Sequence, residues 1–275
     1  MGQADGRKSI FITGAASGMG RETALLFARE GWFVGGVDVN EAGLARLAAE
    51  IGPASFWGAV LDVADRLTYG AVLNRFAAAT DGRLDLLFNN AGIGKGGPFD
   101  QQPFEDVLAV IQVNLIGVMN GIQLATPLLK ATPNSLCFTT SSSSATYGMP
   151  GIAVYSATKH AVKGLTEALA VEYKAFGVRV ADVLPGLIDT PLLPPGVAAA
   201  APQTGMFRAI APVEVAKVVW RAYQEDRLHW YVPEELAELD RQAAFTPETV
   251  RDLMATGSLF GQINDLSADR TTPAG

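Results

Sequence analysis

Residues 9–20 read Ser9-Ile10-Phe11-Ile12-Thr13-Gly14-Ala15-Ala16-Ser17-Gly18-Met19-Gly20. A short apolar run ends in a glycine-rich turn, and small or apolar residues follow at helical spacing from Ala24 to Gly31. Strand, glycine turn and helix in this order favour a dinucleotide-binding turn, because glycine accepts positive φ and lets backbone approach a pyrophosphate. Amides at the helix N-terminus then face the anion. The alternative is a tight turn without a ligand.

The next apolar run, residues 32–37, ends in Asp38, which lies 24 residues after Gly14. A dinucleotide-binding fold places its ribose-binding carboxylate near this position. That carboxylate can accept hydrogen bonds from both ribose hydroxyls of NAD, and it would repel the 2′-phosphate of NADP. Asp38 could instead cap the following helix, but Asn40 is the better cap, which leaves Asp38 free for the ribose. The sequence therefore predicts NAD as the cofactor.

Tyr155 and Lys159 are four residues apart, and Ser142 lies thirteen residues before Tyr155. On a helix, residues i and i+4 lie on the same face, so the ammonium of Lys159 can approach the phenol of Tyr155. A nearby cation lowers the pKa of a tyrosine, which can then serve as a general acid or base. A surface helix with a chance Tyr and Lys is the alternative, and the glycine motif argues against it.

Apolar segments typical of buried strands alternate with long amphipathic segments. The predicted strands include residues 59–63, 84–89, 135–140 and 178–183, and the long helices span about 104–129 and 153–176. Such alternation predicts a single-domain α/β fold, a Rossmann-type doubly wound parallel sheet of about seven strands with helices on both faces. Ligands of such sheets bind at the carboxyl ends of the strands, where the motif residues fall.

Together these motifs resemble the short-chain dehydrogenase/reductase family, the branch with TGxxxGxG and YxxxK motifs, roughly from Ser9 to Pro233. The resemblance implies NAD binding by residues of the glycine turn and of the loops that follow successive strands. These are Gly14, Ser17, Gly18, Met19, Gly20, Asp38, Asp62, Val63, Asn90, Ala91, Gly92, Tyr155, Lys159, Pro185, Gly186, Ile188 and Thr190. Relatives that use NADP place a basic residue where this chain has Val39 or Ser17.

The resemblance also implies a catalytic set of Asn114, Ser142, Tyr155 and Lys159. Tyr155 would exchange the proton with the substrate oxygen, and Ser142 would hydrogen-bond that oxygen. By resemblance, Lys159 also bonds the nicotinamide ribose, and Asn114 holds a water that links Lys159 to solvent. For Asn114 the alternative is a side chain that bridges a helix kink. The implied reaction is NAD-dependent oxidation of a secondary alcohol or reduction of a ketone.

Residues 187–212 correspond to the mobile substrate lid of the family and are largely apolar. Candidate substrate contacts are Ser144, Leu192, Leu193, Met206 and Phe207, which favour an apolar or aromatic substrate. A lid that packs on its own scaffold is the alternative. We assign residues 1–233 to the catalytic domain and 234–275 to a C-terminal extension. The extension is predicted to contain two helices, near 234–243 and 247–256, and a mobile tail.

Composition narrows the class of protein. The net charge of −7 argues against nucleic-acid partners, and a single cysteine, Cys137, cannot build a disulfide framework. Neither a metal-ligand cluster nor a stretch fit to span a membrane is expected, and a cytoplasmic location follows. The two long helices are apolar around much of their circumference, which predicts a homo-oligomer, a tetramer or a dimer. The family packs these helices across a dimer interface.

Two other classes of function stay open. One is an enzyme of the same fold with different chemistry, such as an epimerase or a dehydratase. The other is an NAD-binding regulator without catalysis, which would be expected to have lost Ser142, Tyr155 or Lys159. All three residues are present.

Overall fold

The computed structural model describes residues 5–256. Seven parallel strands form one sheet in the order β3-β2-β1-β4-β5-β6-β7. The strands are β1 (Ser9–Thr13), β2 (Phe33–Asp38), β3 (Phe56–Val60), β4 (Leu86–Asn89), β5 (Leu136–Thr140), β6 (Arg179–Pro185) and β7 (His229–Val232). The order reverses between β1 and β4, which is where doubly wound sheets open a ligand crevice. The predicted fold class is confirmed.

Ten α-helices connect or extend the strands in the part of the chain that the structure describes. They are α1 (Gly18–Arg29), α2 (Glu41–Ile51), α3 (Arg66–Ala79), α4 (Phe104–Ile111), α5 (Gly117–Ala131), α6 (Ala153–Glu172), α7 (Val197–Ala200), α8 (Pro212–Gln224), α9 (Leu236–Phe245) and α10 (Pro247–Ala255). Helices α1, α2 and α8 cover one face of the sheet, and α3, α5 and α6 cover the other. Both faces are therefore buried, which explains the continuous apolar strands.

The third strand differs from its prediction. It begins at Phe56 and ends at Val60, whereas residues 59–63 were predicted. The carboxylate of Asp62 accepts a hydrogen bond from the amide of Ala64 at 2.9 Å, and this local turn ends the extended segment. Asp62 and Val63 therefore lie in the loop after β3 and not in the strand.

The first predicted long helix contains a turn of a different helical type. Between α4 and α5, residues Gln112–Ile116 form a π-helical turn, so the helical segment runs continuously from Phe104 to Ala131. By length and composition this segment could cross a membrane, which corrects the prediction that no such stretch exists. Its buried face packs on the sheet beside α3, and 39% of its most apolar window is buried. The segment is apolar because one of its faces packs in the core and a second, more exposed face is also apolar.

The C-terminal extension contains two helices, as predicted, although α9 is shifted to Leu236–Phe245. Both helices contribute to a third apolar cluster with the lid and with the segment before α6. Its buried members are Met149, Leu236, Leu239, Val250 and Met254. The predicted tail beyond residue 256 lies outside the described residues.

Candidate active site and cofactor cleft

The glycine turn between β1 and α1 has the backbone that only glycine adopts without strain. Gly14 has φ of 68° and Gly18 has φ of 52°. A Cβ atom on Gly20 would lie 2.2 Å from the carbonyl oxygen of Gly14, so the start of α1 packs directly on the turn. The backbone of the turn is thus in direct contact with the backbone of α1. Residues at the start of α1 line the cleft at the strand ends, where their amides can bind an anion.

The end of β4 is tied to the end of β1. The hydroxyl of Thr13 accepts hydrogen bonds from the amides of Asn90 and Ala91, each at 3.0 Å. The side chain of Asn90 donates to the carbonyl oxygen of Thr13 at 3.1 Å. These contacts hold the Asn-Ala-Gly segment beside the glycine turn at the point where the strand order reverses.

A cleft opens at these strand ends. Eleven residues that the sequence assigned to the cofactor line it: Gly14, Ser17, Gly18, Met19, Asp38, Asp62, Val63, Asn90, Ala91, Gly92 and Thr190. Sequence reasoning missed further lining residues, which flank the motifs and are mostly apolar: Val39, Leu61, Ile93, Val113 and Pro191. Their position next to motif residues is the signal that could have found them. Leu192, which was assigned to the substrate, also lines this cleft.

Three residues that the sequence assigned to the cofactor lie at the end of β6 or just after it. Pro185 ends β6, and the amide of Gly186 donates to the carbonyl oxygen of Val232 at 2.7 Å, which continues the sheet. The side chain of Ile188 is buried in the core beneath the sheet end. These three residues do not line the cleft, whereas Thr190, two residues after Ile188, does. Gly20, Tyr155 and Lys159, also assigned to the cofactor, are likewise absent from its lining.

Asp38 makes two backbone contacts that the sequence did not predict. One carboxylate oxygen accepts the amide of Ala16 and the other accepts the amide of Asn40, each at 2.9 Å. The side chain of Asn40 caps α2 by accepting from the amide of Gly43, as predicted. Each carboxylate oxygen has two acceptor sites, so Asp38 keeps capacity for two further donors while its position is fixed by backbone.

No Lys or Arg lies among the residues that line the cleft. Arg21, on α1, forms ion pairs with Glu22 at 2.7 Å and with Glu50 at 2.5 Å. Lys8 stacks on the rings of Trp32 and Tyr223 at the opposite edge of the sheet. A larger cavity of about 700 Å³ lies at that opposite edge, and none of the residues that the sequence assigned to the cofactor or to catalysis lines it.

Ser142, Tyr155 and Lys159 come together at the end of β5 and the start of α6. The buried ammonium of Lys159 donates to the carbonyl oxygen of Thr140 at 2.8 Å and lies 5.5 Å from the ring centroid of Tyr155. The side chain of Ser142 hydrogen-bonds to Tyr155. The hydroxyl of Ser141 donates to the carbonyl oxygen of Lys159 at 3.0 Å, which fixes α6 to the strand end.

The pKa of Tyr155 differs in direction from its prediction. Burial raises it above the usual value, and the hydrogen bond from Ser142 opposes this only in part. Burial also lowers the pKa of Lys159 to about 8. The two shifts share a cause, because a poorly solvated pocket disfavours both a phenolate and an ammonium. The ammonium of Lys159 is directed to the carbonyl oxygen of Thr140. Desolvation therefore raises the pKa of Tyr155 by more than this cation can lower it.

Asn114 lies in the π-helical turn and is fully buried. Its side chain accepts from the amide of Ile93 and donates to the carbonyl oxygen of Ile93, each at 2.9 Å. This double contact joins the π-helical turn to the loop after β4, and it does not bridge the helix itself, which was the alternative that the sequence left open. It anchors the loop after Gly92 beside Lys159, and π-helical turns of this kind are frequent at functional sites.

The predicted substrate residues are divided between two places. Ser144 is buried, and within residues 5–256 its hydroxyl has no hydrogen-bond partner. Met206 and Phe207 pack against the third apolar cluster, and Leu193 is half-buried in the lid. The lid therefore rests in part on its own scaffold, while Leu192 and Thr190 reach the cleft.

Comparison with known proteins places this geometry in context. The family model described as short chain dehydrogenase matches residues 8–199. A 3-oxoacyl-(acyl-carrier-protein) reductase FabG of Thermotoga maritima is 39% identical over 67% of this chain and 76% of its own length. Levodione reductase of Leifsonia aquatica is 36% identical over 67% and 70% of the two chains. Cyclohexanol dehydrogenase of an Acinetobacter strain is 36% identical over 68% and 75%.

Solved structures give the same picture. A short chain dehydrogenase/reductase of Burkholderia phymatum in complex with NAD superposes with a TM-score of 0.78 and 27% identity, over 90% of this chain and 96% of that one. An alcohol dehydrogenase of Thermococcus sibiricus complexed with 5-hydroxy-NADP superposes with a TM-score of 0.72 and 25% identity, over 82% and 94%. The similar structures thus include complexes with both forms of nicotinamide cofactor.

Proposed function

The chain belongs to the short-chain dehydrogenase family of oxidoreductases, and from this premise we propose that it transfers a hydride between NAD and a secondary alcohol or ketone. The observation that carries the proposal is the convergence of Ser142, Tyr155 and Lys159 next to the cleft. A Cβ atom on Gly92, which lines the cleft, would lie 3.9 Å from Nζ of Lys159. When bound, the nicotinamide supplies or accepts the hydride, and the protein supplies the proton transfer and the orientation.

The cleft fits such a cofactor. A Cβ atom on Gly14 would lie 2.9 Å from the Cα of Ala91, and one on Gly18 would lie 3.0 Å from the side chain of Thr190. Any side chain at these two positions would clash, so the turn is bare backbone. A bare backbone turn lets its amides approach a bound pyrophosphate closely. Asp38 and Asp62 lie further along the same cleft, where they can hold the adenosine end.

The proton transfer is assigned to Tyr155. Because burial raises its pKa, Tyr155 carries its proton at neutral pH and is ready to donate it to a ketone oxygen. Ser142 can hydrogen-bond the same oxygen, which stabilises the charge that develops there. Alcohol oxidation requires the reverse transfer to Tyr155, and the ammonium of Lys159 favours the phenolate that this direction needs.

We assign the cofactor as NAD on the strength of Asp38 and of the cations that the cleft lacks. A carboxylate fixed by two backbone amides cannot turn away from a 2′-phosphate. The lining residues offer no Lys or Arg to neutralise that phosphate. The cost of an unpaired phosphate next to a carboxylate then selects against NADP.

For the substrate we propose a compact apolar or aromatic molecule. The lid contributes Leu192 to the cleft and apolar side chains to the cluster beside it. The unpartnered hydroxyl of Ser144 offers a hydrogen bond close to Ser142 for a polar group on such a molecule. The relative named cyclohexanol dehydrogenase supports this class of substrate.

We also propose that the active form is a homo-oligomer, a tetramer or a dimer. Phe104 and Leu108 on α4 and Val171 on α6 are exposed, at 68%, 46% and 77%. They extend the apolar surface of the two long helices beyond the face that packs on the sheet. A second copy of this chain would bury that surface.

The test is a spectrophotometric assay at 340 nm with a panel of cyclic, aromatic and acyclic alcohols and ketones, each with NAD(H) and NADP(H). Turnover that requires Tyr155 and is fastest with compact apolar substrates supports the proposal. Tight NAD binding without turnover of any panel member would favour the regulator. Conversion of a substrate without net change at 340 nm would favour epimerase or dehydratase chemistry.

A further inference from the structure

A charged cluster that the reaction does not use lies on the far half of α6. Its centre is Asp182, which is fully buried in the middle of β6 between apolar neighbours. One carboxylate oxygen lies 2.7 Å from Nδ1 of His229 on β7, and within residues 5–256 the other has no hydrogen-bond partner. A buried carboxylate is costly unless it is paired, so the contact with His229 is what makes this position tolerable.

The imidazole of His229 has a carboxylate on each side. Its Nε2 atom lies 3.3 Å from the carboxylate of Glu167 on α6. An ionised carboxylate only accepts hydrogen bonds, whereas a neutral imidazole has a single N–H to donate. The second contact is an ion-pair distance, and a bare Nε2 lone pair would be repelled by the Glu167 carboxylate. Both contacts are therefore favourable together only if the Asp182–His229 pair holds one extra proton, on either the ring or the buried carboxyl group.

The surroundings favour that proton. Burial by itself lowers the pKa of His229, but the hydrogen bond and charge of Asp182, aided by Glu167, outweigh burial and raise it. Burial likewise raises the pKa of Asp182, more than His229 and Lys163 lower it. The charged groups that face the imidazole are thus Asp182 from β6 and both Lys163 and Glu167 from α6, and their net effect is to raise the pKa of His229.

The charged cluster includes residues of α6, the helix that also carries Tyr155 and Lys159. Tyr155, Lys159, Lys163 and Glu167 follow one another at steps of four residues along α6, so each lies one turn from the next. The ammonium of Lys163 contacts both carboxylate oxygens of Asp240 on α9, at 2.9 and 3.0 Å. Helix α6 is therefore attached through Glu167 to the edge strand β7, and through Lys163 to the C-terminal extension.

We propose that His229 is a protonation-dependent positioning residue that holds α6 against strand β7. With the extra proton, the imidazole joins Asp182 to Glu167. Without it, the bare Nε2 atom faces a carboxylate and the contact with Glu167 opens. Because the folded protein binds this proton more tightly than the unfolded chain, the stabilisation is complete below a pH of about 6.5 and is lost as pH rises through the folded-state value.

The first test is a histidine NMR titration that begins with the unmodified protein. The chain has two histidines, and a His160→Gln variant assigns the remaining signal to His229. We expect a midpoint for His229 above the usual value of about 6.5, and a lower midpoint in Glu167→Gln, where the flanking charge is gone. A midpoint at or below 6.5, or one that Glu167→Gln leaves unchanged, would overturn the proposal.

The second test asks whether the proton positions α6. Amide hydrogen exchange in residues 163–172, corrected for its intrinsic pH dependence, should accelerate as pH passes the His229 midpoint. This pH-dependent step in exchange rate should disappear in His229→Gln. It should persist in the control His160→Gln, which changes an exposed histidine of α6. Exchange that shows the step in His229→Gln, or no step in the unmodified protein, contradicts the proposal. Neither test depends on the assignment of substrate or cofactor.

Discussion

The ammonium of Lys159 donates to the carbonyl oxygen of Thr140 at 2.8 Å. Thr140 ends β5, two residues before Ser142, so this bond joins the helix that carries Tyr155 to the strand that positions Ser142. The bond also satisfies part of a buried charge whose pKa is lowered by desolvation to about 8. Lys159 thus holds the geometry of the site at a cost in stability.

Replacing Tyr155 by Phe should abolish turnover while NAD binding stays nearly intact. The substitution removes the hydroxyl that carries the proton and leaves the ring and α6 in place. Loss of a positioned general acid lowers kcat by about 10²–10⁴-fold. Steady-state kinetics together with fluorescence titration of the cofactor check this. A Phe variant that keeps most of its kcat would remove Tyr155 from the mechanism.

Replacing Lys159 by Met should inactivate the enzyme and stabilise the fold at neutral pH. The pKa of Lys159 is about 8 in the folded protein, below the usual value of a lysine, so folding carries a penalty that is largest below pH 8. Removing a lysine with such a shift gains about 1–3 kcal/mol at pH 7, after the loss of the bond to Thr140.

Urea unfolding at pH 7 and at pH 10 measures this effect. The gain of Lys159→Met over the unmodified protein should shrink at the higher pH, because the lysine of the unmodified protein is then neutral in the fold. Lys159→Ala is the control, since it removes the same charge but leaves a cavity. A pH-independent difference between Met and Lys would contradict the assigned pKa. Weaker cofactor binding in both variants is expected if Lys159 also bonds the nicotinamide ribose.

The sequence predicted the sheet and the convergence of Ser142, Tyr155 and Lys159 because local patterns determine both. Glycine spacing fixes the turn, and parallel strands bring their ends to one edge. The pKa of Tyr155 could not be predicted in this way, because it depends on how far the pocket excludes water. The engagement of Asp38 by two backbone amides likewise depends on where the loop of Ala16 comes to rest.

A sheet of about seven strands was predicted, but the position of β7 and the π-helical turn were missed. His229–Val232 is a four-residue strand, too short for its pattern to stand out, and pairing with β6 is what defines it. The turn at Gln112–Ile116 leaves helical periodicity almost unchanged, and its signal is the contact of Asn114 with Ile93 across the fold. Both features depend on tertiary contacts rather than on local sequence.

Replacing Leu108 by Asp should dissociate the proposed oligomer without unfolding the chain. Leu108 lies on α4 and is 46% exposed, so a charge there costs little in the isolated chain but is unfavourable in an apolar interface. Leu67→Asp is the control, because Leu67 is 88% exposed and lies on α3, outside the apolar surface that Phe104, Leu108 and Val171 form. Sedimentation should show a smaller species only for Leu108→Asp. A single species near 28.9 kDa for the unmodified protein at micromolar concentration would contradict the oligomer itself.

Cofactor choice should depend on Asp38. Its carboxylate is fixed in the cleft by the amides of Ala16 and Asn40 and retains acceptor sites for two ribose hydroxyls. A 2′-phosphate would meet this charge with no Lys or Arg among the lining residues. Lost or repelled contacts of this kind make the preference for NAD exceed roughly a hundredfold in kcat/KM.

Asp38→Ala and Asp38→Arg separate the parts of this effect. The Ala variant removes the repulsion and should narrow the ratio of kcat/KM with NAD to kcat/KM with NADP. The Arg variant adds a partner for the 2′-phosphate and should narrow this ratio further or reverse it. Asp62→Asn is the control, since Asp62 lines the same cleft after the neighbouring strand and should leave the ratio nearly unchanged. The measurement is kcat/KM for both cofactors with one alcohol that is turned over. Equal or better values with NADP in the unmodified enzyme would show that Asp38 does not select the cofactor.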